Sequence, residues 1–154
     1  MKNIEITDKA EIEEILKSVP ICHIALVDNN LPYVFPMNFG YENNIIYIHS
    51  APTGRKIEIF KKNNAVSISM EKDSELSIRH KEVACSYSMK FRSIIIFGKV
   101  QFIEDFEEKI NALNLIMRQY TNRNDFTYNA PAVNGVAVMK IEIEKLTARK
   151  RGYC

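Results

Sequence analysis

Residues 21–50 read ICHIALVDNNLPYVFPMNFGYENNIIYIHS. Apolar and β-branched residues fill three runs, Ile21 to Asp28, Leu31 to Glu42 and Ile45 to Ser50, and both interruptions are Asn pairs, Asn29-Asn30 and Asn43-Asn44. Asn tolerates positive φ, so an Asn-Asn pair between two apolar runs reads as a tight hairpin turn. The stretch therefore predicts three consecutive antiparallel strands.

Working outward, Asp8 with Glu11 forms a capping-box pattern, and Ile12, Ile15, Leu16 and Val19 recur at helical spacing until Pro20. Past the meander, Ala51-Pro52-Thr53-Gly54 breaks the strand pattern, and 55–63 suits a short helix. Ala65 to Met70 reads as a fourth strand and the charged stretch from Glu71 to Val83 as a long connection. Ser86 to Ile103 is a long β region with a bulge expected at Gly98. Asp105 and Glu108 open a second amphipathic helix, Thr121 to Asn134 reads as an exposed loop, and Val136 to Ile143 as the last strand. The basic tail from Lys145 to Cys154 reads as a solvated terminus. Six strands joined mostly by hairpins, with flanking helices, predict a single α+β domain over 1–154 built on an antiparallel barrel. The surplus length of the 86–103 region suits pairing between two copies.

Composition narrows the function. The 154 residues are 46% hydrophobic and 26% charged, and 21 Lys and Arg against 19 Asp and Glu leave a charge of +2, too little to attract a polyanion broadly. No apolar run reaches the roughly 18 residues of a membrane span, and no signal-peptide core opens the chain. Cys22, Cys85 and Cys154 make no CxxC pair, which argues against a disulfide framework and for a reducing, cytoplasmic setting. His23, His49 and His80 are equally scattered and predict no local metal site. Phosphate-loop, GxGxxG and GxSxG patterns are absent.

The stretch with chemistry in it is His49-Ser50-Ala51-Pro52-Thr53-Gly54-Arg55-Lys56, between a strand and a short helix. A helix N-terminus offers unpaired N–H groups, Gly54 allows close backbone approach, and Ser50 and Thr53 carry hydroxyls. Arg55 and Lys56 add two cations that together suit a terminal phosphate. By spacing alone a plainer reading stays open, and is the more economical: a turn capped by Thr53, with both cations on a solvated face.

The order Pro32-Tyr33-Val34-Phe35-Pro36-Met37-Asn38-Phe39, then Ile46-Tyr47-Ile48-His49-Ser50-Ala51, then Gly54-Arg55-Lys56, resembles the split-barrel flavoproteins related to pyridoxamine 5'-phosphate oxidase. Within them it looks most like the branch with the Nim-type nitroimidazole reductases. Cys85 to Ser93 followed by Ile94 to Gly98, and the helix from Asp105 to Tyr120, extend the likeness over nearly the whole chain. The resemblance implies a six-stranded split barrel and an FMN at the interface of a homodimer. It assigns Arg55, Lys56, Gly54 and the surroundings of Ser50 and Ala51 to the flavin phosphate, and Met37 and Asn38 to the border of the ring. His49 would stand beside the flavin as a candidate catalytic residue, and Ser88, Arg92 or Ser93 would reach a flavin from the dimer seam. Where the oxidase itself is expected to carry a further phosphate-binding Arg, this chain has Tyr33, and its tail, Thr147 to Tyr153, lacks the oxidase's Arg-x-His signature. Oxidation of vitamin B6 is thus not what the likeness implies. The expectation is an FMN-dependent oxidoreductase, taking electrons from a reduced nicotinamide or another donor and passing them to a small organic acceptor.

Plainer readings accompany the other residues. His23 reads as structural, His80 as solvated, Cys85 as a buried or half-buried thiol, and Met37 and Met89 as packing residues. Tyr87 and Phe91 beside Lys90 and Arg92 superficially suit an RNA-binding strand, but the signature is not met. The competing function is a flavin- or haem-binding module without turnover, a sensor, carrier or store, because one barrel hosts several chemistries.

Overall fold

A computed structural model describes residues 1–123 and 125–153. In chain order the elements are β1 (Asn3–Glu5), α1 (Lys9–Ser18), β2 (Cys22–Asp28), β3 (Leu31–Met37), β4 (Gly40–Glu42), β5 (Ile45–Ser50), α2 (Arg55–Lys62), β6 (Ala65–Ile78), β7 (Tyr87–Ile103), α3 (Phe106–Thr121), α4 (Ala130–Asn134) and β8 (Ala137–Arg151). The Asn pairs behave as their chemistry requires: Asn29 and Asn30 have φ of 48° and 67°, and Asn43 and Asn44 repeat those values. Two successive positive φ angles match the right-handed twist of flanking strands. The expected run from Leu31 to Glu42 is broken at Asn38 and Phe39 into β3 and β4.

All ladders are antiparallel, in the order β3-β2-β6-β7-β8-β5-β4, with β1 added on β8. The two end strands, β3 and β4, are separated in sequence only by Asn38 and Phe39, so the sheet must curl until its ends nearly meet. No ladder joins them. The expected α+β split barrel is thus present, with eight strands where six were expected, and it stays open between β3 and β4, which only the chain itself connects.

Two segments depart from the sequence reading. The charged stretch after Met70 continues β6 as far as Ile78, and the basic tail continues β8 to Arg151, where it lies between β7 and β1. The backbones of both find partners in neighbouring strands, and the tail still meets the interior, with Ala148 in the core and Leu146 packed against it. Cys154 lies outside the described residues. The ladder slips between Lys72 and Glu75, where Asp73 has φ +56°, and again between Phe97 and Gly98, the expected bulge. Thr121 to Asn134, expected as loop, contains α4, capped by Asn129 on the Ala132 N–H.

The core is the barrel interior, where Ile24, Ile46, Ile48, Ile68, Ile94, Ile96 and Ile141 are fully buried and Ile15 and Leu16 of α1 plug one side. Asp8 and Asp105 cap α1 and α3 as the sequence predicts, on Ala10 N–H and Glu108 N–H. Helix α3 packs on β4 so closely that a Cβ at Gly40 would lie 2.6 Å from the Ile116 nitrogen. At its end the Tyr120 hydroxyl accepts from Phe39 N–H (3.0 Å) and donates to Pro20 O (2.8 Å), pinning the β3–β4 link.

Candidate functional site

β5 delivers His49 and Ser50 to the end of the sheet, and Ala51, Pro52 and Thr53 lead to α2. Gly54 is the N-cap, with φ +117° and ψ 173°, a conformation that L side chains rarely adopt. Nothing lies within 4 Å of a Cβ built there, so conformation and not space requires glycine. Thr53 is therefore not the cap, and no side chain caps the helix. The first intrahelical bond runs from Glu58 N–H to Gly54 O, leaving the first-turn N–H groups of α2 without a side-chain acceptor.

Arg55 and Lys56 extend this positive end. Their partners are aromatic: the Arg55 guanidinium lies 4.6 Å from the centre of the Tyr33 ring, and the Lys56 ammonium 5.0 Å from that of Phe35. Among the described residues neither cation meets a carboxylate within 4.0 Å. These contacts bring β3 against the start of α2. On the other side, the β4–β5 ladder ends at Gly40 and Tyr47, two residues after Asn38 and two before His49. The end of β3, the β3–β4 link, the end of β5 and the start of α2 thus converge where the sheet fails to close.

His49 carries an unpartnered, buried Nδ1. Burial, and then the Lys56 cation, hold its imidazole below the ordinary value of 6.5, so the ring is neutral near pH 7. Met37 is 8% exposed and faces the core, Asn38 is exposed, and Ser50 Oγ donates to Ala51 O at 2.9 Å.

The three β7 candidates stand elsewhere. Ser93 lies two residues before Ile95, which is linked to Pro36 through Ser69 and His23, three ladder spacings or about 14 Å away. Ser88 pairs with Ser77 in the extended β6–β7 arm. Arg92 is engaged within the chain by Asp73, Glu14 and Glu11. One protomer does not bring these residues to the His49 corner. Cys85, expected to be at least half buried, is exposed in a short 3-10 turn between β6 and β7. His23 faces outward from β2, and His80 is exposed near that turn.

Sequence reading noted Tyr33 only as a departure from the oxidase pattern and gave Phe35 no role beside the cations. The alternation of Tyr33 and Phe35 in β3 marks one strand face, but nothing local connects them with cations some twenty residues later. On the opposite flank of α2, Pro52, Ile57, Lys61, Phe102 and Val138 help line a groove of about 300 Å³. Among the described residues no cluster of His, Cys, Asp and Glu could hold a metal, and no helix is long and apolar enough to cross a membrane.

Comparison with known proteins adds ancestry to this geometry. The family described as pyridoxamine 5'-phosphate oxidase matches residues 8–150. No curated protein matches the chain. A solved structure described as a candidate 5-nitroimidazole antibiotic resistance protein, from Bacteroides thetaiotaomicron, is 45% identical over 97% of this chain and 87% of that one, with a TM-score of 0.86. A FAD and haem binding protein from Mycobacterium smegmatis (15% identity, 97% and 74% covered, TM-score 0.85) shares the fold. So does a flavocytochrome from Azotobacter vinelandii (20% identity, 97% and 70% covered, TM-score 0.82).

Proposed function

The chain belongs to the pyridoxamine 5'-phosphate oxidase family, and on that footing we propose that it is an FMN-dependent oxidoreductase. It would reduce a small organic acceptor, in the manner of flavin reductases and nitroreductases, at a flavin site completed by a second copy. The observation that carries the proposal is the uncapped start of α2, with two uncompensated cations and a neutral, unpartnered imidazole beside it.

That donor set fits a flavin monophosphate. Arg55, Lys56 and the free N–H groups of α2 would hold the phosphate, because a dianion gains most where fixed dipoles and cations converge. Asn38 would offer a polar group at the ring border, next to the backbone of Met37, whose side chain packs in the core. When bound, FMN would supply the two-electron redox chemistry. The chain's own part is orientation, exclusion of water and proton handling. His49 Nδ1 is buried and unpaired, so it has one hydrogen bond to give or accept, and its neutral state near pH 7 lets it do either.

Two copies are part of the proposal. The β6–β7 arm beyond the Asp73 bulge exposes Leu76, Ile78, Tyr87 and Met89, an apolar surface that a partner would cover. Such a partner would also supply the polar groups of Ser88 and Ser93, neither of which has a side-chain hydrogen bond among the described residues. The nitroimidazole-resistance description of the 45% identical structure directs the choice of acceptor towards nitroaromatic compounds.

The test is spectroscopic. Purified protein should carry or take up FMN, with paired near-ultraviolet and blue absorption bands. Arg55→Ala with Lys56→Ala should weaken FMN at least about tenfold while sparing riboflavin, since charged hydrogen bonds contribute about 1.5–3 kcal/mol each. Equal loss of both ligands refutes the phosphate assignment. Anaerobic reduction by NADH or NADPH, then reoxidation by a nitroimidazole, tests turnover. A flavin that no donor reduces would point to a carrier or sensor instead.

A further inference from the structure

Arg55 and Lys56 are supported on ring faces where surface cations are commonly paired with carboxylates, and we infer that Tyr33 and Phe35 are positioning residues for the phosphate-binding cations. The inference rests on the phosphate reading above and deepens it. Period-two alternation puts both rings on one face of β3, with centroids 5.7 Å apart. Phe35 is anchored by Phe60 of α2 (6.3 Å between centroids), which lies one turn beyond Lys56. The strand thus offers two neighbouring supports to two consecutive helix residues whose side chains would otherwise diverge.

The chemistry of the support matters. A carboxylate partner would occupy N–H donors and neutralise charge, and both would have to be recovered before an anion could bind. An aromatic face contacts the plane of a guanidinium and leaves its in-plane N–H donors free. Glu58, the acidic residue in the first turn of α2, forms no ion pair with either cation among the described residues. The Tyr33 and Phe35 rings therefore hold both cations in place with donors and charge intact until the phosphate arrives.

The experiment is a double-mutant cycle read by quenching of flavin fluorescence, with FMN and riboflavin as the probes. Tyr33→Leu should weaken FMN about two- to fivefold, the worth of a cation–π contact at an accessible site, and leave riboflavin unchanged. Tyr33→Phe, which keeps the ring, should bind both flavins as the parent does. In an Arg55→Ala background, Tyr33→Leu should have no further effect. If Tyr33→Leu leaves FMN unchanged, or weakens both flavins equally, or costs the same with and without Arg55, the positioning role is wrong while the phosphate assignment stands. If Arg55→Ala itself weakens both flavins equally, the phosphate assignment fails and takes this inference with it. Should leucine at 33 prevent folding, Tyr33→Met is read by the same criteria.

Discussion

Replacing Tyr120 by Phe removes one oxygen from the place where the barrel fails to close. That oxygen accepts from Phe39 N–H at 3.0 Å and donates to Pro20 O at 2.8 Å. Phe39 is fully buried, so its amide has little other recourse, whereas the Pro20 carbonyl lies at the exposed side and can rehydrate. Hydrogen bonds contribute about 0.5–1.5 kcal/mol net and buried unpaired donors cost about 1–3, so the loss should be about 1–2 kcal/mol. For a chain of this length that is a fall of roughly 2–8 °C in Tm, or about 0.5–1 M in urea midpoint at a slope near 2 kcal/mol/M. Urea unfolding with the slope checked for constancy measures the stability, and amide exchange at Phe39 reads the site directly, with protection falling about five- to thirtyfold. Because the same link carries Asn38, proposed at the ring border and away from the phosphate, FMN and riboflavin should weaken alike. A change below about 0.5 kcal/mol with unchanged Phe39 exchange would refute the idea that this hydroxyl pins the β3–β4 link.

Leu76 and Met89 face each other across the arm ladder and are 55% and 44% exposed. Leu76→Lys with Met89→Glu keeps a compatible cross-strand pair but removes the apolar surface. At about 1.5 kcal/mol or more per buried side chain, dimer affinity should fall at least about a thousandfold, and a light-scattering mass that stays at two copies would show that the seam lies elsewhere. His49 titrates below its ordinary 6.5 because of burial and then Lys56. The stability of its neutral form is therefore complete above pH 6.5 and declines as pH falls through 6.5 towards the lower native value, then levels. His49→Gln should remove that part of the pH dependence, and superimposable urea profiles for parent and variant between pH 7 and 5 would contradict the shift. Cys22 is fully buried, its thiol pushed up to about 12 by burial, while Cys85 is exposed. Iodoacetamide at pH 8 should modify Cys85 in the native protein and reach Cys22 only in denaturant, as peptide mapping would show. Native labelling of Cys22 would mean that β2 opens far more readily than its burial implies.

Hairpins, helix caps and the Gly98 bulge were legible because each depends on residues within a few positions of one another. The Asn pairs demand turns, Asp8 and Asp105 demand helix starts, and strand alternation assigns the faces. The same locality makes His49 to Lys56 readable as a strand end, a glycine and two cations at a helix start. Where the polar strands end was not legible. Backbone pairing of 71–78 and 145–151 is provided by neighbouring strands, whatever their own side chains suggest. The exposure of Cys85 has the same origin, since the β6–β7 arm carries that residue beyond the barrel wall.

Read alone, the chain determines an antiparallel, hairpin-built α+β fold and a cationic loop before a short helix. Tertiary structure decides what those cations rest on and what else meets them. Tyr33 comes under Arg55 and Phe35 under Lys56 because folding brings β3 against the start of α2, some twenty residues further along the chain. It likewise commits Arg92 to Asp73, Glu14 and Glu11 within its own chain. The physical reason is one of range: turn and cap preferences act over a few residues, whereas the partner of a charge depends on how strands distant in sequence are brought together.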